Sequence, residues 1–289
     1  MKGWHEVGVD DYSAAYDKFG GSVLSNPDVL NAIAVVVDLP IQYFAYKNID
    51  GVQAVIPVWK NWVAGSKLGL NKMSRKGMVD FGNAELILPI SEKANLALPV
   101  RANNLSLKNR SNITNLQDSQ MDICLAKKPH EFSKKVRYNR KRELRLLEEA
   151  GATVQSVDSM SNEEISIMYS KLFELRWGFK ATGFEYLTDL LDYVRPLLFG
   201  AVIKLDGKAI AFQLIYKSEC YSHISMEYIN GGVDPAYKEL GAGSVLTYLN
   251  TQRAWKLSEQ LGKSLRYSFG KADNEYKDRW CNRSAVYSV

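Results

Sequence analysis

The stretch Lys238-Glu-Leu-Gly241-Ala242-Gly243-Ser244 has the residue types and spacing that point most directly to chemistry. It follows a strand pattern and opens a helical one, so the backbone N–H groups of Gly241, Ala242, Gly243 and Ser244 are expected at a helix N-terminus. Such groups lack intrahelical acceptors and carry a partial positive charge, which suits a phosphate or carboxylate. Glycine lets an anion approach the backbone closely, and Lys238 adds a full charge. The same residues also fit a flexible loop before an ordinary helix start, and both readings stand on sequence.

A second group lies on "CYSHISMEYI", Cys220 to Ile229. Period-two alternation sets Tyr221, His223, Ser225 and Glu227 on one face and Cys220, Ser222, Met226 and Tyr228 on the other. Cys220 and His223 are thus expected to face apart, which argues against a Cys–His nucleophile. Glu227, toward the end that leads to the glycine-rich loop, suits a general base; otherwise it belongs to an exposed sheet face. His5, His130 and His223 share no ligand spacing, and three widely separated cysteines (Cys124, Cys220, Cys281) suggest neither zinc nor a disulfide framework.

The third feature is charge. The net charge of +5 is concentrated between Lys127 and Arg145, where nine basic residues face only Glu131 and Glu143. The rest of the chain is slightly acidic, so the basicity is a patch and points to a specific anionic partner. The competing reading is a solvated helix face, which would ordinarily mix acids with bases more evenly.

These residues need elements to hold them. Pro129 suits a first helical turn and Gly151 a helix end, so a helix is expected over about 129–150, with Phe132, Val136, Leu144 and Leu147 near one face. "ATVQSV" follows as a short strand. Ser161 with Glu164 forms a capping-box signature for a helix running to Gly178, and Arg176 in its last turn suits the negative end of the helix dipole. "FGAVIKL", Asp206-Gly207 and "KAIAFQLIY" read as a hairpin, followed by a third strand, a polar loop, a helix over about 242–261 and the strand "SLRYSFG". Because Gly151 leads into a strand, no helix-turn-helix is expected.

"IQYFAYKNIDGVQAVIPVW" in the N-terminal half echoes that hairpin, with Asp50-Gly51 answering Asp206-Gly207. An internal duplication and a chance recurrence of a common turn both fit. At 289 residues and 46% hydrophobic content the chain can bury a large core or two medium ones. The first residues lack the apolar run of a signal peptide and the longest apolar stretch is too short to span a bilayer, so a cytoplasmic protein in a reducing compartment is expected, with peripheral membrane contact left open.

The hairpin, third strand, Lys238-x-x-Gly241-x-Gly243 and long helix together resemble the acetyl-coenzyme-A-binding core of the GNAT superfamily, whose motif is a basic or amide residue, two residues, Gly, any residue, then Gly or Ala. Lys238 stands where Arg or Gln is usual. With the basic helix and "SFGKADNEYKDRW", whose Gly270, Tyr276, Lys277 and Trp280 match a glycine followed by an aromatic-Lys-x-x-aromatic element, the chain resembles the FemABX and CelD-like branch. "AAYDKFGGSVLSNPDVL", Ala14 to Leu30, is similar to the opening of the Mig-type family of Gram-negative bacteria, linked to resistance to cationic antimicrobial peptides and to inner-membrane association.

The resemblance implies an α+β protein of two GNAT-like domains, each a mixed, mainly antiparallel sheet flanked by helices, divided as 1–128 and 129–289. It implies transfer of an acyl or aminoacyl group from acetyl-coenzyme A or aminoacyl-tRNA to an amine or hydroxyl of an envelope-related acceptor, without a bound cofactor. Lys277 would then stabilise the developing oxyanion or the donor carbonyl, and Tyr276 and Trp280 would contact substrate. Lys134, Arg137, Arg140, Lys141 and Arg142 would grip tRNA phosphates, a phosphorylated lipid precursor or anionic headgroups. The alternative is a catalytically silent descendant that binds anionic lipid or nucleic acid through the basic helix.

Overall fold

Hydrophobic alternation and turn chemistry produce two sheets in the computed structural model, which describes residues 3–289. The N-terminal part runs β1 (Trp4–Val7), α1 (Val9–Phe19), α2 (Pro27–Val36), β2 (Gln42–Asn48), β3 (Gly51–Trp59), β4 (Trp62–Val63) and α3 (Lys67–Lys72), and then a long irregular stretch to β5 (Leu105–Ser106) and β6 (Gln117–Ala126). Next come α4 (Lys134–Glu149), β7 (Thr153–Ser156), α5 (Asn162–Trp177), α6 (Leu187–Val194), β8 (Leu198–Phe199), β9 (Ala201–Leu205), β10 (Lys208–Glu219), β11 (His223–Val233), α7 (Ala242–Leu261), β12 (Ser264–Lys271) and β13 (Cys281–Ser288).

Strands β1 to β4 form one antiparallel sheet in sequence order. The other is ordered β5-β13-β6-β12-β11-β10-β9-β7, with β8 also on β10. Its β11–β12 pair is parallel, joined through the crossover helix α7, and its other pairs are antiparallel. Strands β5 and β6 precede residue 128 and yet lie in this second sheet. One core joins the N-terminal helices and sheet to α5, α6 and β10. Two smaller clusters lie beneath α4 and the start of α7, and around Cys124, Met226 and Phe269.

The turns explain the hairpins. Asp206 and Gly207 both have positive φ (51° and 74°), which matches the twist of the flanking strands. The N-terminal hairpin is built differently: Asn48 pairs with Gly51, so Ile49 and Asp50 form the turn and Gly51 takes the positive φ of 97°. The two Asp-Gly pairs therefore occupy offset positions.

Helix α4 starts later than its proline suggests. Pro129–Glu131 is a separate 3-10 turn, Phe132 is extended and drops into the core, and Ser133 caps the helix by accepting from Val136 N–H at 3.2 Å. Leu147 is buried and Leu144 half-buried, but Val136 faces solvent. Helix α5 has the expected ends, with Ser161 Oγ accepting from Glu164 N–H at 3.1 Å and Gly178 in the left-handed region.

Candidate functional site

Gly241 takes φ of 65°, a conformation glycine adopts without strain, and this lets the chain turn out of the Pro235–Leu240 3-10 turn into α7. No side chain caps the helix. Gly241 O already accepts from Ser244 and Val245, while the N–H groups of Ala242 and Gly243 lead the helix. They border a cavity of about 290 Å³ together with Lys238, Ser244, Tyr276 and Trp280. The glycine-rich loop and the C-terminal aromatic element, separate in sequence, thus share one cavity.

The cavity exists because two strands part. β11 and β12 pair from His223 with Ser264 to Glu227 with Ser268 and no further, although both strands continue. On the other side, Leu214 pairs with Asn230 but Ile215 with Tyr228, so Ile229 is an extra residue that bends β11. The open backbone beyond Glu227 is a strand edge that an extended ligand can pair with.

A second cavity, of about 210 Å³, lies behind the first, between the Asp80–Ala84 segment and the ends of β11 and β12. Glu227 and Lys277 border it. Arg176, Tyr228, Phe269 and Tyr276 border both cavities and form the wall between them.

Glu227 is 1% exposed. Its Oε1 accepts from Glu85 N–H at 3.0 Å. Burial, helped by the Glu85 carboxylate, pushes its carboxyl well above the usual range, against the opposing hydrogen bonds from Ser268 and the Glu85 backbone. The reading of an exposed sheet face is therefore overturned. The N-terminal half covers this face, contributing Gly21 O to His223 Nε2 at 2.8 Å, Val23 N–H to Ser225 Oγ at 3.2 Å and Glu85 N–H to Glu227.

Cys220 and His223 also depart from expectation. β11 begins at His223, so Cys220 lies in the turn after β10 and the alternation does not extend to it. Its Sγ comes 3.2 Å from His223 Nδ1. Both are buried and burial holds the imidazole down to about 4, so His223 is a neutral group packed against the Cys220 side chain.

Lys277 borders the second cavity, but its ammonium is engaged by Lys271 O at 2.6 Å and Asp273 Oδ1 at 3.1 Å. Trp280 packs edge-on against Phe132 with its ring 5.9 Å from the Arg140 guanidinium, which also pairs with Glu143 at 2.6 Å. Arg137 donates to Pro129 O and Phe132 O at 3.2 and 2.7 Å, locking the entry to α4. Of the five predicted anion contacts, Lys134, Lys141 and Arg142 are exposed, while Arg137 and Arg140 are held by the protein itself. Tyr138 is 68% exposed beside them.

The sequence accounts for Arg176 only as a cation at a helix end. In the structure its Nη1 donates to Gly231 O at 3.2 Å, and its charge beside Tyr228 and Tyr276 partly offsets the burial that raises both phenols. Gly232 permits this, since a Cβ there would meet the Leu172 backbone carbonyl carbon at 2.3 Å and push α5 away. No local pattern marks such a residue. Among the described residues, no cluster of three or more His, Cys, Asp or Glu could hold a metal ion, and no helix is long and apolar enough to cross a membrane.

The sequence profile of the Mig-14 family matches residues 26–289. No curated protein shows significant sequence similarity. Among solved structures, FemX aligns with a TM-score of 0.56 at 10% identity, covering 99% of this chain and 96% of its own. L-PGS from Bacillus licheniformis aligns with a TM-score of 0.51 at 12% identity, covering 98% and 92%. The shared fold is the α+β arrangement of two GNAT-like domains.

Proposed function

This chain belongs to the Mig-14 family, and from that premise and its paired cavities we propose that it is an acyl- or aminoacyltransferase. The donor's phosphates sit at the start of α7 with Lys238, and its extended arm lies along the open edge of β11. Acetyl-coenzyme A and aminoacyl-tRNA both offer an anionic body and a reactive carbonyl of this shape. The acceptor amine or hydroxyl enters from the second cavity. The observation that carries the reading is that the two cavities share one wall, so a donor carbonyl and an acceptor can meet there.

The chemistry asks little of the protein beyond placement. The acceptor atom attacks the carbonyl carbon, the carbonyl oxygen takes the charge, and collapse breaks the bond to sulfur or ribose oxygen. Glu227, ionised, accepts the acceptor's proton at the edge of the second cavity; burial sets its basicity nearer to that task than a solvent-exposed carboxylate's. Lys277 places a positive charge in that cavity and fixes its own loop through Lys271 and Asp273. In keeping with the family, we place the acceptor in envelope chemistry, the protein on the cytoplasmic face of the inner membrane, and the outcome in resistance to cationic antimicrobial peptides. The donor-binding half spans residues 129–289, and β5 and β6, which precede it, join its sheet.

The exposed cations of α4 favour a second reading, in which a silent transferase fold binds anionic lipid or nucleic acid. Titration of the purified chain with acetyl-coenzyme A, aminoacyl-tRNA and anionic liposomes, at low and physiological salt, separates the two. Saturable binding of either donor that Gly241→Asp abolishes supports the transferase. Binding to liposomes alone, lost on reversing Lys134, Lys141 and Arg142, supports the binding module and overturns the transferase.

A further inference from the structure

Resting on that transferase reading, we infer that Arg176 is a catalytic residue: its guanidinium, set in the wall between the two cavities, stabilises the oxyanion formed on the transferred carbonyl. A tetrahedral intermediate has to form where donor and acceptor meet, and four residues border both spaces. Phe269 is apolar, and Tyr228 and Tyr276 are neutral phenols. Arg176 alone of the four carries a permanent charge.

Its geometry suits the task. The guanidinium is held by Nη1 donating to Gly231 O at 3.2 Å and by the Trp177 ring, whose centroid lies 4.6 Å from it. A guanidinium has five N–H donors, so donors remain for a ligand. The side chain is open to the cavities rather than sealed in the core. Lys277, the charge that the family resemblance favours for this role, borders only the second cavity, and its ammonium is already shared between a carbonyl and a carboxylate. Preorganised charge aimed at the developing oxyanion is commonly the largest single contribution to acyl transfer.

In the balanced step, the acceptor nitrogen forms a bond to the carbonyl carbon while the C=O π electrons move to oxygen beside Arg176. Glu227 takes the proton from nitrogen. The intermediate then expels the thiolate of coenzyme A or the ribose alkoxide of tRNA, which leaves protonated, and Glu227 regains its charge by giving up its proton.

The test compares wild type, Arg176→Ala and Arg176→Lys. Donor affinity is measured by calorimetry with acetyl-coenzyme A and with aminoacyl-tRNA, and single-turnover release of free thiol or deacylated tRNA is followed in the presence of an aliphatic diamine. The expected result is donor affinity within about threefold of wild type and a rate loss on the order of 10²–10³ in Arg176→Ala. Arg176→Lys should recover part of the rate, and added guanidinium should restore Arg176→Ala without affecting wild type.

A rate in Arg176→Ala within threefold of wild type overturns this assignment and leaves the transferase reading intact. So does loss of donor affinity in parallel with rate and without guanidinium rescue, which would make Arg176 a shaper of the wall. Wild type that binds neither donor, or binds without turnover, overturns the transferase reading and this assignment with it.

Discussion

The backbone N–H of Glu85 donates to the carboxylate of Glu227 at 3.0 Å, a contact between positions 142 residues apart. The Glu85 side chain, 1% exposed, pairs in turn with both Arg266 Nε at 2.8 Å and Nη2, and accepts from Ser106 Oγ at 2.5 Å. The N-terminal half thereby supplies a floor for the second cavity. Glu85→Ala would leave Arg266 largely buried and unpaired, and urea unfolding should show a loss of about 3–5 kcal/mol. A loss below about 1 kcal/mol would mean that water replaces the carboxylate.

Glu227 needs to be ionised to accept a proton, and burial raises its pKa. Transfer rate should therefore rise with pH through that pKa. Glu227→Gln should lower the rate at the top of the profile by about 10²–10⁴ and remove the rising limb. A limb that persists unchanged in the variant assigns the base to another group.

His223 acts on stability with a definite sign. Its imidazole has a folded value near 4 against 6.5 unfolded, because burial disfavours the cation and the field of Lys108 adds to it. The unfolded chain thus binds the proton first as the solution is acidified. The contribution is complete above about pH 6.5 and is lost as pH falls toward about 4, by about 3 kcal/mol at the limit. Glu227, raised by burial, has the opposite pH sign, so the comparison to make is wild type against His223→Gln. The difference in unfolding free energy between them should be constant above about pH 6.5 and shrink as pH falls toward about 4; a difference that does not change across that window would refute the assignment.

Gly243 packs against β11, and a Cβ there would come 2.8 Å from Val233 Cγ2. Gly243→Ala should move the start of α7 and weaken acetyl-coenzyme A or aminoacyl-tRNA binding about tenfold, with a stability cost of about 1–3 kcal/mol. Calorimetric titration at matched folded fraction separates the two effects. Unchanged affinity would remove the helix N-terminus from the donor site.

The basic helix divides into structural and free cations. Arg137→Glu should cost about 1–3 kcal/mol, because it removes the donors to Pro129 O and Phe132 O. The combined reversal of Lys134, Lys141 and Arg142 touches no such contact and should leave the melting temperature nearly unchanged. Sedimentation with anionic vesicles at low salt should nevertheless fall steeply in the triple variant. Equal vesicle binding would place the anionic partner elsewhere.

Local pattern determined the hairpins, the capping box of α5, the extent of α7 and the glycine-rich start of that helix, because each depends on residues within a few positions of one another. Lys277, Tyr276 and Trp280 are singled out by resemblance to the FemABX branch rather than by local pattern. Pattern misplaced the start of α4, where Phe132 is drawn toward Trp280 and Ser133 becomes the cap. It left the His223–Glu227 face open between a site for a general base and an exposed surface, because alternation identifies two faces without saying what covers either; Gly21, Val23 and Glu85 cover this one. Only the tertiary structure decided where β11 and β12 part, which four residues stand between the cavities and that Arg176 is the charged one. Those relationships join elements far apart in the chain, and close packing, rather than propensity or period, sets them.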